Sequence, residues 1–301
     1  METFGGGPCA HEEPLFERGE AQVALHVPPG FQRDLDSGEG AAVLFTVDGS
    51  DTIPAGQGST YAILGVKRYN EKRLAAAGAG DAAARIQAVE LRQRVWFNPE
   101  LRSKNFFVTG ILALLLMLMT MILTSMAIVK EKERGTLESI IVSPMSPLTL
   151  VLGKLVPFVV IGFLDVLLVV AVARYAFGIQ LRGSILTLLA VSGLFIVNTT
   201  GLGLLVSTLS STQQEAMMSS MFFVMLPLIY LSGFVFPIES MPAAVQWMTD
   251  LIPLKHFLVA VRAVFLKGSS LGDLAVQCAW LTGSGVVLFT LATLRVRKRL
   301  A

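Results

Sequence analysis

The chain has 301 residues, 53% of them hydrophobic and only 15% charged, with a net charge of +2 and a mean hydropathy of +0.65. That balance lies outside the range of an ordinary soluble domain, and the charge is too small to argue for nucleic acid as a partner. Two distant cysteines, Cys9 and Cys278, and three scattered histidines, His11, His26 and His256, exclude a disulfide framework and give no metal site.

The composition changes near Asn105. Residues 1–105 hold most of the acidic side chains and turn signals such as Pro28-Pro29-Gly30 and Asp48-Gly49-Ser50, with no long apolar run. Residues 1–13 are Gly-rich and read as disordered. Strands are expected at Ala21–Val27, Ala42–Val47 and Gln93–Phe97. A short helical turn is expected at Phe31–Leu35, a helix over Ser59–Gly78, and a further turn or helix over Asp81–Arg92. Residues 1–105 are therefore expected to form a small α+β domain.

Residues 106–301 read as a mainly α-helical, polytopic membrane domain. Phe106–Val129 carries no charge and is long enough to cross a hydrocarbon layer of roughly 30 Å at about 1.5 Å per residue. Four more spans are expected at Leu150–Ala173, Ser184–Val206, Ala216–Pro237 and Leu274–Leu294. Pro227 is expected to loosen the fourth, and Gly193, Gly201 and Gly203 to give the third a small-residue face for close packing. Ile238–Asp273, with Pro242, Pro253 and Trp247, is too apolar for a free loop and too broken to cross. A re-entrant or interfacial pair of helices fits it best.

Between the first two spans lies a charged, amphipathic insert, residues 130–147, beginning KEKERGTLE. A short charged helix held on the membrane face is well placed to receive a push from a soluble partner. The plainer reading is a solvated loop whose basic residues fix topology.

Few polar groups interrupt the spans. Asp165 stands near the middle of the second, where an ionisable group costs at least ~2.5–3.5 kcal/mol and must face protein or water. It is either a substrate or proton site, or a structural residue paired with Asn198, Thr199, Thr200 or a second copy of the chain. Asn198, Thr199 and Thr200 read first as packing glue. Met217, Met218, Met221 and Met225 recur at helical spacing, as a pathway for varied apolar cargo or as ordinary filler. Asp165, Asn198, Thr199, Met221 and Met225 are the candidate pathway residues. Trp247 and Trp280 read as interfacial anchors.

Arg295, Arg297, Lys298 and Arg299 form the densest basic cluster, which predicts a cytoplasmic C-terminus. Five spans then put residues 1–105 outside and the charged insert inside. The segment Met1–Ala21 has no apolar core to carry that domain across, which predicts a further span upstream of Met1 or, second, a first-span role supplied in some other way.

Four blocks, Trp96–Phe106 (WFNPELRSKNF), Glu131–Lys154 (EKERGTLESIIVSPMSPLTLVLGK), Leu231–Pro242 (LSGFVFPIESMP) and Ile252–Gly268 (IPLKHFLVAVRAVFLKG), occur in one order. With VPPGFQRDL and TVDGS within Gly19–Gly49, the arrangement resembles the type-2 ABC transporter permeases, the membrane subunits of ATP-driven exporters, over roughly residues 14–301. The family pattern has six spans, with the outer domain between the first and second.

The resemblance implies a cell-membrane permease of two protomers, this chain with a second copy or a similar permease, coupled to two cytoplasmic ABC ATPase subunits that bind ATP and Mg. It implies outward movement of a drug- or lipid-like, amphipathic or hydrophobic substrate. The chain has no G-x-x-x-x-G-K-[ST] phosphate loop, so the nucleotide is expected on the partner. Within the insert, Glu131, Lys132, Glu133, Arg134, Gly135, Thr136, Leu137 and Glu138 become the coupling element. Its charges would pair with the ATPase, Leu137, Ile140 and Ile141 would fill a groove, Gly135 would allow a bend, and Pro144 and Pro147 would end the helix. A secondary transporter or channel, or a membrane-anchored assembly or sensor protein, is the alternative.

Overall fold

The computed structural model describes residues 15–16, 21–37, 41–77, 88–98, 103–135, 147–236 and 238–300. The chain forms two compact units, residues 1–106 and 107–301.

In the first unit, β1 (Val23–His26), α1 (Phe31–Ser37), β2 (Ala42–Asp48), α2 (Thr52–Ala77) and β3 (Glu90–Trp96) follow in chain order. β2 is the central strand, antiparallel to β1 with Val23 opposite Val47, and parallel to β3 with Ala42 opposite Glu90. A parallel pair needs a crossover, and α2 supplies it. The helix starts at Thr52, earlier than Ser59, because the Asp51 carboxylate accepts from Ile53 N–H at 3.2 Å, a capping geometry. Val43, Phe45 and Val47 alternate along β2 and so share one face, where Leu35, Ala41, Val43 and Val89 form one buried cluster and Phe45, Val47 and Ala55 another. Asn70 on α2 clasps the chain entering β3: its side chain donates to Val89 O at 3.1 Å and accepts from Val89 N–H at 2.9 Å. The helical reading of Asp81–Arg92 fails where it is described, since Glu90–Arg92 belong to β3 and pair along β2; residues 81–87 lie outside the described residues. The edges of the sheet differ. β3 shows solvent Arg92, Gln93 and Arg94, with the Arg94 guanidinium 4.7 Å from the centre of the Trp96 ring, whereas β1 shows Val23 and Leu25.

Among the described residues of the second unit, five helices are long and apolar enough to cross a membrane: α3 (Ser103–Glu133), α4 (Pro147–Tyr175), α5 (Ile185–Leu209), α6 (Gln213–Leu231) and α9 (Ala275–Leu300). α3 has 31 residues, roughly 46 Å at about 1.5 Å per residue, so its charged last turn stands clear of a layer about 30 Å thick. Pro147 opens α4 rather than ending a preceding helix, as its fixed φ favours. α6 stops at Leu231 and does not reach Pro237, because Gly233 turns the backbone left-handed at φ +77°.

α3 and α5 form the centre: 56% of the apolar stretch of each is buried, against 14–22% in α4, α6 and α9. The three α5 glycines accordingly face three neighbours rather than one. A Cβ on Gly203 would lie 2.7 Å from Met121 O of α3, one on Gly193 would meet Phe163 of α4, and one on Gly201 would meet Leu288 of α9.

Between α6 and α9, a 3-10 turn at Ile238–Ser240 leads to α7 (Ala243–Thr249) and α8 (Pro253–Arg262). α8 has ten residues, roughly 15 Å, half a crossing. Yet it is almost wholly buried. Phe257 stacks on Phe195 of α5 with ring centres 4.0 Å apart, and His256 stacks on Trp280 of α9 at 5.2 Å. A π-helical turn at Ala263–Lys267 closes on Gly268 at φ +79°, and its carbonyls at Val264 and Phe265 accept from Gly183 N–H and Arg182 N–H at 2.9 and 3.2 Å.

Candidate functional site

The charged end of α3 is not a separate helix. Glu131, Lys132 and Glu133 continue the span, Arg134 and Gly135 turn away from it, and Gly135 adopts φ +69°, a conformation glycine takes without strain. Thr136, Leu137 and Glu138, with Ile140, Ile141 and Pro144, lie outside the described residues.

Lys132 and Glu133 bind inside the chain. Lys132 Nζ donates to Ser210 O, at the end of α5, at 2.8 Å. The Glu133 carboxylate accepts from Gln213 N–H at 2.8 Å and from the Gln213 side-chain amide. Gln213 is the first residue of α6. The α6 start is further capped: Thr212 accepts from Glu215 N–H at 3.1 Å, and Glu215 accepts from Ser211 N–H at 2.7 Å. The Thr212-x-x-Glu215 spacing is the sequence signal that marks this helix start. Glu133 and Arg134 remain exposed, but the Glu133 carboxylate already has partners.

Deeper in the bundle, hydroxyl and amide groups tie the helices together. Thr120 of α3 donates to Thr199 of α5 at 2.7 Å, and Ser125 of α3 lies 3.0 Å from Ser220 of α6, Oγ to Oγ. Asn198 is fully buried; its amide donates to Leu281 O of α9 and its oxygen accepts from Ser284, at 2.8 and 2.7 Å. Thr200 returns its hydroxyl to Ile196 O of its own helix. Asn198 and Thr199 thus act as bundle ties, and none of the three bonds to Asp165. Of the alternatives for Asp165, pairing with these three residues is not made: their polar atoms are engaged elsewhere. Among the described residues, Asp165 Oδ2 is occluded from solvent and accepts no hydrogen bond.

An apolar cavity of about 940 Å³ lies between α5, α6, α9 and the α7–α8 pair, within the range of ligand sites, about 300–1,000 Å³. Its walls include Leu205 and Val206 of α5, Ser219, Pro227 and Leu228 of α6, Trp247 and Met248 of α7, and Trp280, Ser284 and Val287 of α9. Among the described residues no ionisable side chain lines it, so this lining suits neutral apolar groups. The two tryptophans expected as membrane anchors stand on this wall. None of Asp165, Asn198, Thr199 and Met221 does, although Ser284 connects Asn198 to it. Met217, Met218 and Met221 are instead exposed on the outer face of α6, and the Met225 side chain lies outside the described residues. Among the described residues no group of His, Cys, Asp and Glu could hold a metal.

In α8, the His256 ring lies 2.8 Å from Asp250 O through Nε2. A carbonyl only accepts, so Nε2 carries the proton. Burial, more than any other influence, pushes the imidazole below its ordinary pKa.

Comparison with known proteins converges on one group. Residues 12–294 match the family described as ABC-2 family transporter protein. The chain is 35% identical over 212 residues to the probable multidrug ABC transporter permease YbhS of Escherichia coli, covering 70% of this chain but 56% of YbhS. It is 31% identical over 267 residues to the probable multidrug ABC transporter permease YbhR of the same organism (89% of this chain, 70% of YbhR). It is 30% identical over 290 residues to the inner membrane transport permease YhhJ (94% and 75%). The chain therefore spans little more than half the length of YbhS. With a match across nearly all its residues and five helices able to cross a membrane, this multi-pass chain belongs to the ABC-2 transporter family.

Proposed function

We propose that the chain is the permease subunit of an ATP-driven exporter, moving a neutral or amphipathic, drug- or lipid-like substrate outward. It works as a pair, with a second copy or a similar permease, and two cytoplasmic ABC ATPase subunits bind ATP and Mg. Residues 1–105 lie outside, and residues 130–147 and the C-terminus lie inside. The observation that carries the reading is the anchored helix end. Residues 131–138 supply the ATPase contact, and Lys132 and Glu133 seat their beginning on the α5–α6 turn. A loose loop could not pass on a push, because coupling needs groups engaged in both states. The cavity between α5, α6 and α9 is the apolar stretch of the route.

Purification of the chain with its ATPase, followed by reconstitution in liposomes, tests this. Arg134→Glu and Leu137→Ala are expected to weaken ATPase binding while the spans insert normally, and the chain alone is expected to show no nucleotide hydrolysis. Robust nucleotide binding by the chain alone would refute the assignment. A cysteine at the exposed position Tyr61 is expected to react with an impermeant thiol reagent from outside intact cells. Reaction only after permeabilisation inverts the orientation.

A further inference from the structure

Adjacent residues at the end of α3 carry opposite charges, and each lies at the helix terminus that favours its sign. Lys132 sits against the C-terminal carbonyl end of α5, and Glu133 against the first backbone N–H of α6 and the side-chain amide of the same residue, Gln213. The partial charge is negative at a helix C-terminus and positive at an N-terminus, so this order fits and the reverse would not. A second tie joins the same two helices further in, between Ser125 and Ser220. From Ser125 to Glu133 on α3, and from Gln213 to Ser220 on α6, is about 10–12 Å along each helix at about 1.5 Å per residue. Two ties that far apart fix direction as well as position, so the end of α3 and the first two turns of α6 move as one body.

α6 has a weak point beyond them. Pro227 lies inside the helix, where it has no N–H to give the carbonyl four residues back, a recurrent cause of bending. Pro227 is itself on the cavity wall, with Ser219 before it and Leu228 and Leu231 after it. We propose that Lys132 and Glu133 are the transmission residues of the transporter. They carry displacement of the coupling segment into the N-terminal half of α6, which pivots at Pro227 and changes the opening of the cavity. This deepens the exporter reading and rests on it.

The test uses the full chain with its ATPase in liposomes, in a Cys9→Ser, Cys278→Ser background, with bimane attached at Met218→Cys. Met218 is exposed on the half of α6 said to move. In the parent, ATP with Mg is expected to shift bimane emission relative to ADP. The double variant Lys132→Glu, Glu133→Lys keeps the net charge of the segment but puts each charge at the wrong helix end. Compared with the parent at equal amounts of bound ATPase, it is expected to lose the emission response about tenfold, within the usual range of coupling effects. Gln213→Ala, which removes the side-chain donor alone, is expected to lose part of the response, and Glu133→Gln, which keeps an acceptor, to retain most of it. A parental response from the swapped pair, or equal loss in Glu133→Gln and the swap, overturns the proposal. Failure of the parent to bind ATPase strikes the exporter reading instead.

Discussion

Gly203→Ala tests the central packing of α3 on α5. The added methyl would lie 2.7 Å from Met121 O, 3.0 Å from Thr124 Cβ and 3.3 Å from Met121 Cα. Two of these atoms are backbone of a buried helix, so no rotamer change relieves the clash. Ordinary contact begins near 3.4 Å, so α5 must back away by about 0.7 Å, and overpacking of this kind costs about 1–3 kcal/mol. Thr199 lies one turn back on the same face of α5, and the shift stretches its 2.7 Å bond to Thr120 toward about 3.4 Å, outside hydroxyl hydrogen-bond range. An interhelical bond in a membrane contributes ~0.6 kcal/mol on average and up to ~1.7. Together the loss is roughly 2–4 kcal/mol, or about 5–15 °C in melting temperature for a unit of this size. Gly193→Ala is the control, because its methyl would meet only the Phe163 ring edge, at 3.2 Å, which can turn aside. Thermal stability of detergent-purified protein, followed by fluorescence-detected gel filtration, compares the two. If Gly203→Ala melts no earlier than Gly193→Ala, the reasoning is wrong.

Asn198→Leu breaks both ties to α9 and is expected to cost about 1–3 kcal/mol in the same assay, whereas Thr200→Val, whose hydroxyl bonds only within α5, changes little. Asp165→Asn is expected to leave the melting temperature unchanged or raised, because the lost charge had no donor within the described residues; a fall equivalent to more than about 1 kcal/mol in reconstituted complex would reveal a partner in the assembly. His256 binds its proton less readily folded than unfolded, so the unfolded chain holds more protons below the ordinary pKa of about 6.5 and stability falls as pH drops through that window. Melting curves between pH 7.5 and 5.5 are expected to show a loss that His256→Gln reduces; an identical loss in the variant contradicts the assignment.

The spans were legible because an uncharged run long enough to cross a membrane has few other uses, and the strands because short apolar runs sat between turn signals. The sequence could not say which α5 residues tie to which helix. Asn198, Thr199 and Thr200 are consecutive, so they point in different directions around a helix, and only the packed bundle assigns Asn198 to α9 and Thr199 to α3. The Glu133–Gln213 contact was hidden for a related reason: it joins residues 80 apart in the chain, and charge on an insert says nothing about whether the partner is inside or outside. Periodicity put Met217, Met218 and Met221 on one face, but not which face of α6 the bundle leaves open. The cavity was unreadable, since it is shared by helices that are not consecutive in the chain.

The unequal edges of the small sheet have a consequence for misassembly. A free strand edge is a template for another chain, and proteins blunt it with charge. β3 is guarded by Arg92 and Arg94, while β1 offers Val23 and Leu25, the latter 62% exposed, on a strand of four residues. Edge-to-edge aggregation of this unit is therefore channelled to β1, where brevity is the main safeguard. A lysine at Leu25 would close that edge without disturbing the core, since the side chain it replaces contributes little to it.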